Sequence, residues 1–295
     1  MPEAAARIAV EVEGRQLTLS NLAKPLYPDG TTKGQVIDYY TRVAPVLLLH
    51  LRGRPLTMKR YPHGSDGSFF YEKNAPRGRP DWVRTVNLPA PGSTKSRETI
   101  DYVVCDDLAT LVWCANLASL ELHTPQYRVG DDGGPLPSDQ LVLDLDPGPP
   151  AALRECAVVA LRLREFLPAT ARVKTSGSKG LQVVAPWDGT ADGDPSTFAK
   201  LLAEGLEAAL PDLVVSRMLK VLRPGKVLVD WSQNARSKTT VSVYSLRARD
   251  HPTVSAPVSW DEVAEMAAGA PLSFTSVEVL ARVAAAPDPF AHLGT

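Results

Sequence analysis

The strongest constraint on the fold is an apolar segment, residues 141–148 (LVLDLDPG), that contains two carboxylates. Side chains alternate between the two faces of a β-strand, so Asp144 and Asp146 point to one face and the leucines to the other. The following Pro-Gly ends the strand and exposes the pair. Two adjacent carboxylates resist joint ionisation, and a divalent cation removes that penalty. The chain must therefore fold around a strand that is buried on one face and borders a polar site on the other.

These two acids form a candidate metal site, because hard oxygen ligands suit Mg²⁺ or Mn²⁺. A third acid, Asp230, lies near the end of another apolar strand, VLVDW. Three aspartates on adjacent strands can hold two metal ions about 4 Å apart, one activating a hydroxyl and the other stabilising a leaving pyrophosphate. Two alternatives remain open. A DxD sequence also arises by chance and in sugar transferases, and Asp230 could cap a strand end or pair with an arginine.

The pattern around these strands predicts an α+β protein with a mixed central β-sheet flanked by helices, in one compact unit with two lobes. A capping box, Thr32 with Gln35, begins a helix whose apolar residues have helical spacing. Residues 107–122 are apolar on nearly all sides and predict a buried helix that ends beside His123. Further strands are predicted at residues 7–12, 16–19, 56–61, 140–146, 171–175, 181–187, 227–231 and 240–246, and further helices at 151–167, 196–210 and 260–267.

Length and composition exclude several classes of protein. The chain has 295 residues, of which 44% are hydrophobic, and a net charge of −1. We expect one domain over residues 1–295, with its core at about 21–250 and a helical, Pro-rich extension over 251–295. No apolar run reaches the roughly 18 residues that a membrane span needs, and the N-terminus lacks a signal-peptide pattern. The three cysteines have no zinc or disulfide spacing, so a reducing cytoplasm is the expected location.

Positive charge is concentrated in one stretch, residues 215–249. This stretch has a single acid, Asp230, among eight cations: Arg217, Lys220, Arg223, Lys226, Arg236, Lys238, Arg247 and Arg249. Such a local excess creates an electropositive surface on a neutral protein. The stretch is either a solvated basic face or a phosphate-binding one, and the acid at its centre favours the second interpretation.

Residues 174–180, KTSGSKG, lie between two predicted strands and form a candidate phosphate loop. Its two glycines allow successive backbone N–H groups to face one anion, while Ser176 and Ser178 add hydroxyl donors and Lys179 adds charge. The spacing differs from a Walker A loop. A plain hairpin turn would explain the glycines and serines but not the two lysines, Lys174 and Lys179.

Three further features have a functional and a structural interpretation. His123 could contact a ligand or could be a dipole partner at a helix end. Arg247 and Arg249 follow a predicted strand and could bind a triphosphate. Phe69 and Phe70 lie close to a basic strand end and could stack on bases, although an aromatic core is the more common explanation for such residues.

Several of these segments together resemble a known family. The segments are NLAKPLYPDGTTK, LTMKRYP, FFYEKNAP, DLATLVWCANLASLELHTP, LVLDLDPGPP, KTSGSKGLQV, VDWSQNARSKTT and VSVYSLRAR. In this order, over roughly residues 21–249, they are similar to the polymerase domain of bacterial DNA ligase D, the end-joining branch of the archaeo-eukaryotic primase superfamily. The resemblance implies a two-lobed primase-polymerase core.

The resemblance also implies roles for individual positions. The family's metal carboxylates match Asp144, Asp146 and Asp230. Its nucleotide contacts match His123, Ser176, Lys179, Gln233 and Arg247, and Lys59 and Arg60 match a basic strand end near nucleotide and template. Its contacts to a downstream 5′-phosphate match Lys24 and Lys33. Its base-stacking aromatics match Phe69 and Phe70, and Arg223 matches a basic position near the primer terminus.

The function implied by the resemblance is template-dependent polymerisation that fills or extends DNA ends and gaps. Two Mn²⁺ or Mg²⁺ ions, a preference for NTP over dNTP, and Ku and a DNA ligase as partners are expected with it, in the nucleoid-associated cytoplasm of a bacterium. No KxDG ligase motif is present. Three alternatives remain: a primer-synthesising primase, a gap-filling excision-repair polymerase, and a DNA-end-bridging module without catalysis. A sugar transferase is disfavoured because it has no use for the basic stretch.

Overall fold

The computed structural model describes residues 7–90, 97–188 and 194–294. Its elements follow the chain in this order: β1 (Arg7–Val12), β2 (Arg15–Ser20), α1 (Lys33–Leu51), β3 (Pro55–Arg60), β4 (Phe70–Glu72), β5 (Thr85–Pro89), β6 (Thr99–Val104), α2 (Leu108–Asn116), β7 (Ser119–Thr124), β8 (Tyr127–Val129), β9 (Pro135–Ser138), β10 (Gln140–Pro147), α3 (Leu153–Arg164), β11 (Arg172–Thr175), β12 (Leu181–Pro186), α4 (Pro195–Ala209), β13 (Val214–Val215), β14 (Val227–Asp230), β15 (Thr240–Val241), β16 (Leu246–Arg247), β17 (Thr253–Val254), β18 (Pro257–Val258), α5 (Trp260–Ala267) and α6 (Ser276–Ala285). Short 3-10 helices cover Lys220–Leu222, Trp231–Asn234 and Ala291–Leu293.

The first six-stranded sheet has the strand order β13-β14-β10-β12-β11-β18, and only the β13–β14 pair is parallel. Alternation along β10 buries Leu143 and Leu145 completely while Asp144 and Asp146 stay half-buried. Helices α3 and α4 both contact β10. The sheet is therefore mixed and flanked by helices, as predicted.

The second sheet has the order β15-β7-β3-β6-β5, with β4 paired to β3. Helix α1 contacts α2, and α1 begins at the predicted capping box, in which the Thr32 side chain accepts from the backbone of Gln35. One core of buried residues includes side chains from both sheets and all six helices of the described ranges. No helix in these ranges has both the length and the hydropathy that a bilayer crossing requires.

The predicted helix over residues 107–122 is wrong in its second half. Helix α2 ends at Asn116, the chain turns at Ala118 with φ 58°, and residues 119–124 form strand β7. Every residue of β7 is buried. Its sequence, SLELHT, alternates polar and apolar residues with the period of a strand, but only Leu117 and Ala118 separate it from the apolar helix α2, so the continuous run predicts a single helix. His123 therefore lies within a strand and not at the end of a helix.

The strand predicted at 240–246 is two short strands, β15 and β16. Tyr244 between them has φ 65°, a left-handed conformation that interrupts the extended chain. The segment after residue 250 contains helices α5 and α6, and its strand β18 also pairs with β11 in the first sheet. Residues 74–97, which are dense in Pro, Gly, Arg and Ser, contain β5, while residues 91–96 lie outside the described ranges.

Candidate functional site

A cleft of about 540 Å³ lies where the two sheets meet. Strands β3, β4 and β7 of the second sheet line one side, and strands β10 and β12 of the first sheet line the other. Its lining includes seven of the residues singled out from the sequence: His123, Asp144, Asp146, Ser176, Lys179, Gln233 and Arg247. Positions that are far apart in the chain thus share one cavity.

Asp144 and Asp146 face this cleft together, as the alternation along their strand predicts. Asp144 is directly opposite Asp230 on β14 and Gln182 on β12. Its Oδ1 accepts a hydrogen bond of 3.1 Å from Nε2 of Gln182. Burial and, after it, the charges of Asp146 and Asp230 together raise the pKa of Asp144 to about 7, against the opposing effect of the Gln182 hydrogen bond. The carboxylates therefore repel each other.

Asp230 uses its carboxylate to cap the 3-10 helix that follows it. Oδ1 accepts from the backbone N of Ser232 at 2.9 Å and from its hydroxyl at 2.6 Å, and Oδ2 accepts from Nε2 of Gln233 at 2.8 Å. Within the described part of the chain, no three Asp, Glu, His or Cys side chains are already gathered for one metal ion. These three hydrogen bonds use most of the acceptor capacity of the Asp230 carboxylate.

The loop between β11 and β12 lines the cleft with Ser176, Ser178 and Lys179. The Ser176 hydroxyl oxygen accepts from the backbone N of Ser178 at 3.2 Å and of Gly180 at 3.1 Å, which curls the loop. Gly177 has φ 66°, and a Cβ there would lie 2.6 Å from Cγ of Arg247. The loop therefore needs glycine at this position to pack against the arginine.

Lys174 does not belong to the phosphate loop, in contrast to the prediction that both lysines add charge there. Its side chain is only 4% exposed, and its Nζ donates to the backbone oxygen of Val241 and the hydroxyl of Ser255, at 3.0 Å and 2.7 Å. The reason is its position on β11, where alternation points the side chain into the protein.

Glu121 is a buried acid that the sequence analysis did not single out. It is 2% exposed and accepts hydrogen bonds from Lys59 (3.3 Å), Tyr61 (3.0 Å) and His123 (3.0 Å), while Nε of Arg247 lies 3.4 Å away. Burial alone would raise the pKa of Glu121, but the His123 hydrogen bond and the charges of Arg247 and Lys59 hold it well below its usual range. One carboxylate therefore holds three candidate nucleotide contacts together.

The same cluster affects His123, whose pKa is lowered by burial and held up by Glu121. The sequence indicates the pairing of Glu121 with His123 through their spacing: residues two apart share one face of a strand but not of a helix. The incorrect helix assignment concealed it.

Phe69 and Phe70 lie at the surface beside this cluster, with exposed fractions of 51% and 44%. Nζ of Lys59 lies 4.3 Å from the ring centroid of Phe69, and the guanidinium of Arg60 lies 5.2 Å from that of Phe70. Arg60 also pairs with Glu72 at 2.7 Å. The aromatic-core alternative is therefore wrong for these two residues.

Lys24 and Lys33 lie close together away from the carboxylates. Their Nζ atoms donate to the backbone oxygens of Pro62 (2.6 Å) and Ser20 (2.7 Å). Lys33 is 5% exposed, and its pKa falls to about 8 because of burial and, after that, the charges of Lys24 and Arg60. Three cations are thus close enough to repel one another.

Arg223 lies on a separate loop outside the cleft lining. Its Nη2 donates to the backbone oxygen of Met218 at 2.8 Å. The loop packs closely against the end of β10, where a Cβ on Gly148 would lie 2.1 Å from the Arg223 oxygen. This contact places the arginine beside the strand that carries Asp144 and Asp146.

Comparison with known proteins decides the family. Residues 32–290 match the family described as LigD, primase-polymerase domain. The chain belongs to this family. Its members are metal-dependent nucleotidyltransferases, so membership confirms the predicted family, the α+β class and the primase-polymerase class of enzyme.

Relatives and solved structures agree with this LigD assignment. The chain is 43% identical over 280 residues to the multifunctional non-homologous end joining DNA repair protein LigD of Mycobacterium tuberculosis, which is 92% of this chain and 36% of that protein. It is 33% identical over 264 residues to the bifunctional non-homologous end joining protein LigD of Bacillus subtilis, which is 88% of this chain and 41% of that protein. The chain thus spans about a third of the length of the first of these curated relatives.

A solved structure matches closely as well. The polymerase domain of Mycobacterium tuberculosis ligase D in complex with DNA has a TM-score of 0.85 and 41% sequence identity, covering 94% of this chain and 98% of the other. The fold described above is therefore the fold of a LigD polymerase domain.

Proposed function

We propose that the protein is a template-dependent DNA/RNA polymerase that fills or extends DNA ends and short gaps during double-strand break repair. The observation that carries this proposal is the single cleft that combines Asp144 and Asp146 with Ser176, Lys179 and Arg247. A carboxylate pair beside cationic and hydroxyl donors suits a nucleoside triphosphate, since the donors can bind the phosphates while the acids hold a cation. Membership of the primase-polymerase family supports this assignment.

Asp144, Asp146 and Asp230 are the residues that would hold Mn²⁺ or Mg²⁺, as two ions. Their fit rests on the donor set, because three carboxylates lie on neighbouring strands and the repulsion at Asp144 favours a bound cation. When bound, the ions supply charge stabilisation at the transferring phosphate and lower the pKa of the primer 3′-hydroxyl. Asp230 must turn from Ser232 and Gln233 to take part, which frees the Gln233 amide for the nucleotide.

The nucleotide contacts that we propose lie on both sides of the cleft. Ser176 and Lys179 come from the β11–β12 loop, and Arg247 and His123 come from the cluster around Glu121. Lys59 and Arg60 extend this positive side toward the exposed aromatic rings. A triphosphate entering the cleft would therefore meet donors from several elements at once.

The DNA contacts that we propose lie outside the cleft. Lys24 and Lys33, repelling each other, suit a 5′-phosphate whose double negative charge removes that repulsion. Phe69 and Phe70 present exposed rings on which bases can stack. Arg223 lies beside the end of β10 and suits the primer or template strand.

The cellular setting is part of the same proposal. The named relatives are end-joining proteins of bacteria, which supports work at DNA ends in the bacterial nucleoid with Ku and a DNA ligase. We also propose that ribonucleotides are favoured over deoxyribonucleotides. Primer synthesis and excision-repair gap filling are the alternative functions, and an unprimed template added to the following experiment tests the first of them.

The experiment is single-nucleotide extension on DNA with a one-nucleotide gap, with and without a downstream 5′-phosphate, using NTP or dNTP with Mn²⁺. Extension that the 5′-phosphate stimulates, and that is faster with NTP, is the expected result. Extension indifferent to the phosphate would remove the role of Lys24 and Lys33, and dinucleotide synthesis on unprimed template would favour a primase. Tight binding to DNA ends without extension would contradict the proposed polymerase function and favour an end-bridging module.

A further inference from the structure

A row of polar side chains crosses the first sheet on the face that lines the cleft. Lys174 on β11 is directly opposite Gln182 on β12, which is directly opposite Asp144 on β10, which is directly opposite Asp230 on β14. Directly opposite residues project to the same side of a sheet with their Cβ atoms about 5 Å apart. The row therefore joins a buried lysine to the carboxylates through one amide.

Lys174 lies at one end of this row and is the donor in each of its three side-chain hydrogen bonds. It is 4% exposed, and its Nζ donates to Oε1 of Gln182, to the backbone oxygen of Val241 and to the hydroxyl oxygen of Ser255. An ammonium group has three N–H bonds, and these three acceptors use all of them. Ser255 donates its own hydroxyl hydrogen to the backbone oxygen of Thr175 at 2.9 Å, so toward Lys174 it can only accept. The lysine is thus held by strand β15 and by the segment between β17 and β18.

The lysine determines which end of the Gln182 amide faces the carboxylate. Oε1 of Gln182 accepts from Lys174, and therefore Nε2 points the other way and donates to Oδ1 of Asp144 at 3.1 Å. A glutamine with no such neighbour could present either its oxygen or its nitrogen to the cleft. Only the nitrogen can hydrogen-bond an ionised carboxylate.

We propose that Gln182, oriented by Lys174, is a positioning residue that fixes the Asp144 carboxylate for a divalent cation. This inference rests on the proposed function, in which Asp144 is a metal ligand. One carboxylate oxygen is bound to the amide, which leaves the other oxygen for the cation and sets the side-chain rotamer before the cation arrives. Hydrogen bonds of this kind to ligating groups orient them and contribute to metal affinity.

The test measures Mn²⁺ binding by calorimetry, with Mn²⁺ alone and no nucleotide or DNA, on the full chain. Gln182→Met keeps the volume of the side chain but removes the donor, and we expect the dissociation constant for Mn²⁺ to rise about tenfold. Gln182→Asn is shorter by one methylene and cannot reach both partners, so the same direction is expected. Melting temperatures without metal establish that each variant is folded. Lys200→Met and Gln16→Met, which make the same changes at exposed side chains on other elements, are the matched controls.

The sign of the change in a lysine variant separates positioning from charge. If Lys174 acted only as a nearby positive charge, Lys174→Met would tighten Mn²⁺ binding. If it orients the amide, Lys174→Met weakens binding, and it causes no further weakening in a chain that already carries Gln182→Met. Tighter binding in Lys174→Met, or native affinity in folded Gln182→Met and Gln182→Asn, would overturn the inference.

Asp144→Asn distinguishes this failure from a failure of the proposed function. If Asp144→Asn weakens Mn²⁺ binding and the Gln182 variants do not, the metal site stands and the positioning role is wrong. If Asp144→Asn itself binds Mn²⁺ with native affinity, both the proposed metal site and the positioning role are overturned.

Discussion

At the scale of single residues, alternation along a strand predicts which side chains share a face, provided that the strand is assigned correctly. Asp144 and Asp146 meet this condition because, of the apolar residues of β10, only Val142 lies on the face of the two aspartates. Glu121 does not, since only Leu117 and Ala118 separate β7 from the apolar helix α2 and the predicted helix extends through both. The prediction for Lys174 is wrong for a different reason. No local pattern distinguishes a lysine that belongs to a phosphate loop from a buried lysine that donates hydrogen bonds within the protein.

The first prediction concerns the two acids on β10. Asp144→Asn and Asp146→Asn should each reduce primer extension by at least about a thousandfold, because a cation at the transferring phosphate loses a charged ligand. Binding of DNA ends should persist, since the proposed DNA contacts lie elsewhere. Extension on gapped DNA and a binding titration on the same DNA measure the two properties. Near-native extension in either variant would contradict the metal assignment.

The second prediction concerns the stability that Glu121 contributes. Glu121→Ala leaves Lys59, His123 and Arg247 without their shared acceptor, and we expect a loss of about 3 kcal/mol in the free energy of unfolding. Glu121→Gln keeps the shape and one acceptor and should lose less. Urea denaturation measures both. The control is Glu165→Ala, which removes an exposed acid paired with Arg162 and should change the free energy of unfolding by less than about 0.5 kcal/mol. Equal stability of Glu121→Ala and Glu121→Gln would contradict the stabilising role of Glu121.

At the scale of elements, the sequence predicts those with one buried face and fails on the others. Helix α5 occupies the predicted residues, and β10, β12 and α4 differ from prediction by a residue or so at their ends. The interruption at Tyr244 could not be predicted, because its left-handed conformation is imposed by tertiary contacts: its backbone N donates to Ser255 and its hydroxyl to Asp288. In contrast, the two glycines of the loop before β12 predict a turn there.

The third prediction compares two glycines in different elements. Gly177→Ala places a methyl group 2.6 Å from Cγ of Arg247 at a position with φ 66°, so the loop should shift and the KM for NTP should rise. Gly205→Ala lies in α4 with no atom within 4 Å of the new Cβ, and should stabilise the protein by about 0.5–1 kcal/mol. Extension kinetics and thermal melting check the pair. Unchanged KM in Gly177→Ala would show that the loop does not hold the nucleotide.

At the scale of the whole molecule, Asp288 joins the C-terminal segment to helix α1 and to the turn at Tyr244. The Asp288 carboxylate lies 2.8 Å from Nε2 of His50 on α1, and accepts from the hydroxyl of Tyr244 at 2.6 Å and from the backbone N of Phe290 at 2.9 Å. The sequence predicts a helical, Pro-rich tail here but not the contacts with His50 and Tyr244, because both are more than forty residues away and share no local pattern with Asp288. The family match, which extends to residue 290, agrees with a tail that belongs to the fold.

The fourth prediction follows from the pKa of Asp288. Burial alone would raise this pKa, but the hydrogen bonds from His50 and Tyr244 lower it below its usual value. A carboxyl whose pKa is lower in the folded state stabilises the protein above its unfolded pKa of about 4, and this contribution disappears as the pH falls through the folded pKa. Asp288→Asn should therefore be less stable than the native chain at pH 7, with a difference that shrinks in acid. Chemical denaturation from pH 7 to pH 3 measures it, and a difference independent of pH would contradict the assignment.

The two edge strands of the first sheet, β13 and β18, are each only two residues long. A margin of this length offers few unpaired backbone groups to a neighbouring molecule, and Pro257 in β18 removes one of the donors. At high concentration, few backbone groups at these edges can pair with a strand of another copy. The sheet that carries the carboxylates is therefore protected from aggregation along its edges.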